Sequence, residues 1–322
     1  MLTQAIVHGR IGHAYLFTGP NQIGKTTLAR AFAQALNCEA EAVAQRPCGR
    51  CRACQLIAAD RHPDVRLVAG EVSGRGKLTL KIEQIRSLQQ DLNLAPYEGR
   101  WKVAILKQFD AANPSAANAF LKMLEEPPRQ VILLLTASES EALLPTISSR
   151  CRTVGLRPLP TPVIMDALQN RWQAAPEQAR LLAALADGRL GWALQALQNP
   201  DLLKTRQEHL ATLQAALSGN RVTRFDLAEK LARKPESLPP ILLNWASWWR
   251  DLLLLAWGNA DAERLTNVDQ QHSLQQLAQQ WPRDCILHSL QQTEKAVRQL
   301  EQNANTRLAV ENLLLHYPVT QP

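Results

Sequence analysis

No segment of this chain approaches the ~18 uninterrupted apolar residues that a membrane span requires. Met1 to Arg10 also lacks a basic stretch followed by an apolar run and a cleavage site. Both absences argue against membrane and secreted classes, so the expectation is a soluble, cytoplasmic chain with no membrane partner. There is no long basic run, no tandem repeat and no low-complexity tract. The formal charge of +7, from 36 basic and 29 acidic residues, fits ordinary solubility better than a nucleic-acid footprint. Cysteine is sparse outside one place: Cys38, Cys48, Cys51 and Cys54 lie together, and Cys151 and Cys285 stand alone. Such clustering points to a metal rather than to disulfides.

At 322 residues the chain exceeds what one core usually serves, so two or three domains are expected. His13 to Thr18 reads as a strand entering a glycine loop, and Thr26 to Leu36 repeats apolar residues at helical spacing. Val65 to Val68, Lys102 to Leu106 and Val131 to Thr136 read as further strands. Ile82 to Asn93 and Ala116 to Leu124 read as the helices between them. Strands alternating with helices predict a parallel sheet covered on both faces. After Arg157 the pattern changes. Pro158, Pro160 and Pro162 punctuate a linker, Asn199-Pro200-Asp201 makes a break, and only helical periods follow. Leu242, Trp245, Trp249, Leu252, Leu253 and Ala256 share one helix face and are predicted to be core.

Gly19 to Thr26, GPNQIGKT, is a complete phosphate-binding loop between a predicted strand and a predicted helix. In such a loop Gly19 and Gly24 let backbone N–H groups converge on phosphate oxygens. Lys25 reaches the terminal phosphates, and the Thr26 hydroxyl ligates Mg²⁺. The alternative is a relic loop kept for its turn. Hydrolysis further needs a carboxylate near the metal, at the end of the strand Lys102 to Leu106, and there the chain has Lys107 and Gln108. An ammonium about 4 Å from Mg²⁺ opposes it by about 4 kcal/mol per unit charge at an effective dielectric of 20, where an aspartate would attract it equally. Weak or absent hydrolysis is the expectation. Asp110, beyond the strand end, reads as a turn or helix-cap residue rather than a replacement carboxylate.

Cys38 with Cys48-Gly-Arg-Cys51-Arg-Ala-Cys54 gives two overlapping CxxC steps and a fourth, more distant thiol. Four thiolates at about 2.3 Å describe a closed, structural Zn²⁺ site. The alternatives are an iron–sulfur cluster, whose Cys-Pro ending is missing, and disulfides, which the compartment disfavours. Arg46, Arg50 and Arg52 form either a solvated rim or a contact surface.

Several segments together resemble one family: GRIGHAYLFTGPNQIGKTTLARAFAQALNC from Gly9, the cysteine insertion, HPDV at His62, AANAFLKMLEEPP at Ala116 and SSRCRT at Ser148. They are similar to the clamp-loader AAA+ proteins of bacterial DNA polymerase III. Weaker echoes occur at Trp249-Arg250-Asp251, Thr266 to Asp269 and Asn303 to Leu315. The resemblance implies an α/β P-loop AAA+ domain at 1–154 carrying an inserted zinc module at 38–54. A small helical lid at 155–200 and an all-α oligomerisation collar at 201–322 would follow.

The resemblance also implies that Arg150, within the Ser-Arg-Cys motif, is an arginine finger acting on a neighbour's nucleotide, since a guanidinium can offset γ-phosphate charge in trans. Thr136 occupies the place of the family's first sensor, with a turn or helix cap as the alternative. The family's motors carry Asp-Glu where Lys107-Gln108 stands and a second sensing arginine where Gly191 stands, Arg189 being out of register. The expected role is therefore a stator in the ring without its own ATPase, ATP and Mg²⁺ binding being left open. Its expected partners are gamma/tau-like and delta-like subunits, the sliding clamp, and primed DNA reached through the complex. The alternatives are an ATP-hydrolysing motor subunit and a zinc-bearing nucleic-acid-binding module. The second lacks a base-reading motif.

Overall fold

The computed structural model describes residues 2–72, 78–258, 265–302 and 304–319. Asn303, which opens one of the echoes noted above, lies outside them. The chain divides into two compact units, Met1–Pro158 and Leu159–Pro322.

The first unit is built on a five-stranded parallel sheet. Its strands are β1 (Ala14–Thr18), β2 (Val65–Val68), β5 (Lys102–Leu106), β6 (Val131–Ala137) and β7 (Arg152–Gly155), in the order β2-β5-β6-β1-β7. Alternation along the inner strands divides the core in two. Ala14, Leu16, Ala104, Leu106, Leu133 and Leu135 face helices α4 (Ile82–Leu92) and α5 (Pro114–Glu125). Tyr15, Phe17, Val103, Ile105, Ile132 and Leu134 face α2 (Lys25–Asn37) through Ala29, Phe32, Ala33 and Leu36. Because both faces are covered, β5 and β6 are buried at every residue, as a central parallel strand requires. Asn113 starts α5 by accepting from the Ala116 N–H at 2.7 Å, and Pro114 follows at a position that needs no donor.

Several elements here were not expected, among them the following. Strand β7 is mostly exposed and pairs only with β1, so it lacks an apolar signature. The helix α3 (Arg52–Ala58) emerges from the cysteine segment, and β3 (Glu71–Val72) pairs antiparallel with β4 (Leu78–Thr79).

The second unit is helical throughout its described residues. Helices α7 (Thr161–Trp172), α8 (Pro176–Leu185) and α9 (Leu190–Gln198) enclose one apolar cluster that includes Ile164, Leu168, Leu182 and Ala193. A second cluster spans α10 (Asp201–Ser218), α11 (Arg221–Ala232), α12 (Leu238–Ala256), α13 (Gln271–Gln280), α14 (Arg283–Glu301) and α15 (Thr306–His316). At its centre Trp249 meets Trp248 edge-on at 5.0 Å, stacks on Trp281 at 5.6 Å and leans on Tyr317 at 5.2 Å. The predicted face of α12 is buried as core except at its end, where Ala256 is half-buried. No described helix is long and apolar enough to cross a membrane.

Candidate functional site

The phosphate loop leaves the end of β1 and enters α2. Gly19 has φ 138°, and a Cβ there would lie 2.6 Å from the Leu156 carbonyl oxygen, so only glycine passes the end of β7. Gly24, at φ 108°, turns the chain into α2. Lys25 is buried and folds back on the loop. Its Nζ donates to the Gly19 carbonyl and, at 2.9 Å, to the Pro20 carbonyl. Burial lowers the Lys25 pKa, and the nearby Asp110 charge partly opposes that shift. Thr26 follows, half-buried, on the first turn of α2.

Beyond β5 the chain turns sharply at Gln108, which is left-handed at φ 48°. The turn drops Phe109 into the core, 4.8 Å from Phe120, and brings Asp110 back toward β6. Asp110 caps no helix. Its Oδ2 accepts from the Ser138 N–H at 3.0 Å and hydroxyl at 2.7 Å, while Oδ1 is buried without a hydrogen-bond partner. Thr136 is buried. Its Oγ1 accepts from the Gln108 N–H at 2.9 Å and faces the Leu106 carbonyl at 3.5 Å, so the hydroxyl ties β6 to the turn. The open groove here, about 500 Å³, runs between Thr18 to Pro20 and Ser138 to Glu141, with Glu139 and Glu141 at its rim.

Cys38, Cys48, Cys51 and Cys54 come together with all four sulfurs within 4.8 Å of one another. A tetrahedral site with Zn–S bonds of about 2.3 Å sets sulfurs about 3.8 Å apart, so the group fits a structural zinc with little contraction. Backbone N–H groups already point at the sulfurs: Ala40 and Cys48 at Cys38, Cys51 at Cys48, and Cys54 at Cys51, from 3.3 to 3.5 Å. Donation from the Arg50 and Cys51 amides pulls the Cys48 thiol down to about 6, whereas burial pushes Cys54 up to about 12.

Two further residues support this half of the unit and carried no chemical signal in the sequence. Asp64 is buried and accepts from the N–H groups of Tyr97, Glu98 and Gly99 at 2.7, 2.9 and 2.7 Å. Burial raises its pKa but the three donors outweigh it, and the net shift is downward. His62 is buried beside it, its Nδ1 accepting from the Asp64 N–H, and burial lowers its pKa.

Arg150 is exposed between α6 (Pro145–Ser148) and β7. It donates to the Thr146 carbonyl at 2.9 Å and pairs with Glu125 at 3.1 Å. Tyr15 is in register with Arg152, so Arg150 lies at the entry end of the parallel sheet and the phosphate loop at its exit end. At about 3.3 Å per residue the four residues from Tyr15 to Gly19 put the start of β7 about 13 Å from the loop, beyond the reach of an arginine side chain. Cys151 packs against the core, and burial raises its thiol to about 12.

A family profile described as DNA polymerase III, delta subunit, matches residues 1–160, and one described as DNA polymerase III, delta subunit, C terminal, matches residues 200–317. The chain is similar to DNA polymerase III subunit delta' of Pseudomonas aeruginosa, 32% identical over 314 residues that cover 95% of this chain and 91% of that protein. It is also similar to subunit delta' of Bacillus subtilis, 29% identical over 322 residues covering 98% and 93%. DNA polymerase III subunit tau of Escherichia coli is 37% identical over 198 residues, 60% of this chain and 30% of that protein.

Proposed function

This chain belongs to the delta-prime family of bacterial DNA polymerase III subunits, and on that premise we propose that it is a stator of a clamp-loader ring that lends Arg150 to a neighbour's nucleotide. The observation that carries this reading is the arrangement of the sheet's two ends. At the exit end β5, the strand whose end would carry the carboxylates of a hydrolysing site, is followed by Lys107 and Gln108. At the entry end the exposed Arg150 precedes β7, away from its own loop and held by Thr146 and Glu125. The pair with Glu125 is exposed and worth at most about 1 kcal/mol, so a γ-phosphate can outbid it.

In this reading Gly19, Gly24, Lys25 and Thr26 keep a cradle that holds ATP and Mg²⁺ without turnover or stands empty, and Thr136 stays a tie between strands. Cys38, Cys48, Cys51 and Cys54 hold a structural Zn²⁺ that fixes the segment after α2. Residues 155–200 act as the lid and residues 201–322 join a collar with gamma/tau-like and delta-like subunits. Two apolar clusters support that division, one of α7 to α9 joined by Leu202 and Leu203 at the start of α10, the other of α10 to α15. The ring opens a sliding clamp and places it on primed DNA in the cytoplasm.

The test is reconstitution. The chain alone should show no Lys25-dependent ATP turnover, and adding it to motor and delta-like subunits should raise clamp loading on primed DNA. Robust turnover by the isolated chain, abolished by Lys25→Ala, would make it a motor instead.

A further inference from the structure

The phosphate loop is tied down by a chain of contacts that begins at Lys25 and runs to Asp110. Its Nζ holds the Gly19 and Pro20 carbonyls, and the Gly19 N–H donates to the Ser138 carbonyl at 2.9 Å. The Ser138 N–H and hydroxyl in turn hold Asp110 Oδ2. The other oxygen, Oδ1, is buried and receives no hydrogen bond. A carboxylate oxygen taken out of water without a donor is costly unless a positive charge faces it. Lys25 is the cation whose electrostatics Asp110 alters.

We propose that Asp110 sets how readily this loop accepts a nucleotide, acting as a built-in counter-anion that an entering phosphate must compete with for Lys25. A polyphosphate needs the ammonium swung away from two carbonyls and must then share it with a carboxylate a few residues past the strand end. Glu139 and Glu141 at the groove rim add to the opposition, although both are exposed and screened by water. The Gln108 turn makes the placement possible, because its left-handed backbone brings position 110 back beneath the loop rather than onward into α5. Asp110 is thus a determinant of affinity for nucleoside di- and triphosphates, and it acts whatever the role of Arg150.

The experiment is a titration of the full-length chain with a fluorescent ATP analogue, in EDTA and again in Mg²⁺. Asp110→Asn removes the charge and keeps an oxygen for the Ser138 donors. It should tighten binding in EDTA by about tenfold, about 1.4 kcal/mol, and a rise from undetectable to measurable binding meets the same expectation. Asp110→Ala should do likewise, which guards against one variant folding poorly, and adding Lys25→Ala to either should remove the gain. Unchanged or weaker binding by both variants overturns the proposal. So does a loss confined to Mg²⁺, which would make Asp110 a metal carboxylate. None of these results depends on whether the chain assembles into a ring.

Discussion

Removing the metal from the four-cysteine module should unfold that module and leave the sheet standing. Fixing residues 38–51, which are mostly irregular, costs about 14 kcal/mol at about 1 kcal/mol per residue. The segment's own side-chain anchors are few. Arg46 donates to the Ala40 carbonyl at 2.7 Å, Gln34 to the Cys54 carbonyl at 2.8 Å, and the Ala53 N–H to Glu39 at 3.3 Å. At about 1 kcal/mol each they return about 3 kcal/mol. A structural zinc supplies about 10–16 kcal/mol, which closes the gap. The chain should therefore purify with one equivalent of zinc by mass spectrometry of the metal. After chelation, hydrogen exchange should reach unprotected rates across 38–51 while peptides from β5 and β6 stay protected. Cys51→Ser should reproduce the exchange pattern at neutral pH with no chelator. A chain that carries no metal yet protects these amides fully would refute the reasoning.

Asp64→Ala strands three loop donors and should lower the urea stability of the first unit by about 3–4 kcal/mol, Asp64→Asn by about half that. Equal stability of Asp64→Ala and the parent would remove Asp64 from the account. His62 is held with a lowered pKa, so its neutral form is the one that fits. Its contribution is complete above the unfolded value near 6.5 and is lost as pH falls through the lower folded value. The urea midpoint of the first unit should drop between pH 7 and pH 5, and His62→Gln should flatten that dependence. Arg224 is buried and donates to the carbonyls of Ala216, Leu314, Tyr317 and Pro318, closing the ends of α10 and α15. Arg224→Met should cost the second unit about 3–5 kcal/mol, read from thermal melts followed by tryptophan fluorescence.

The central strands were legible because burial on both faces leaves continuous apolar runs such as Val131 to Leu135, and the α12 face was legible from its helical period. Strand β7 was not, since an exposed edge strand containing Arg152 and Thr153 has no reason to alternate. Helix α3 was hidden because its cap Cys51 and its residue Cys54 read as metal ligands, and Cys51 accepts from the Cys54 N–H as the helix cap. The phosphate loop could be read from its glycines, whose backbone demands are local. Its closure could not, because Lys25 is captured by carbonyls whose direction depends on the folded loop. Asp110 lies in a turn, as one of its two readings had it, but its bonds to Ser138 could not be read for a similar reason: the left-handed turn at Gln108 decides where it points, and glutamine does not advertise that conformation. Asp64 was noted only as part of HPDV, and its role was hidden because its partners lie more than thirty residues further along the chain.

The claim that this chain lends its catalytic group outward is tested most directly by Arg150→Ala in a reconstituted ring where only the adjoining motor subunit can bind ATP. An arginine finger is worth about 10³–10⁵ in turnover, while the Arg150–Glu125 pair contributes at most about 1 kcal/mol to folding. The account predicts at least a hundredfold loss of ATP turnover at that site with assembly and melting temperature unchanged. Turnover equal to the parent ring would contradict it.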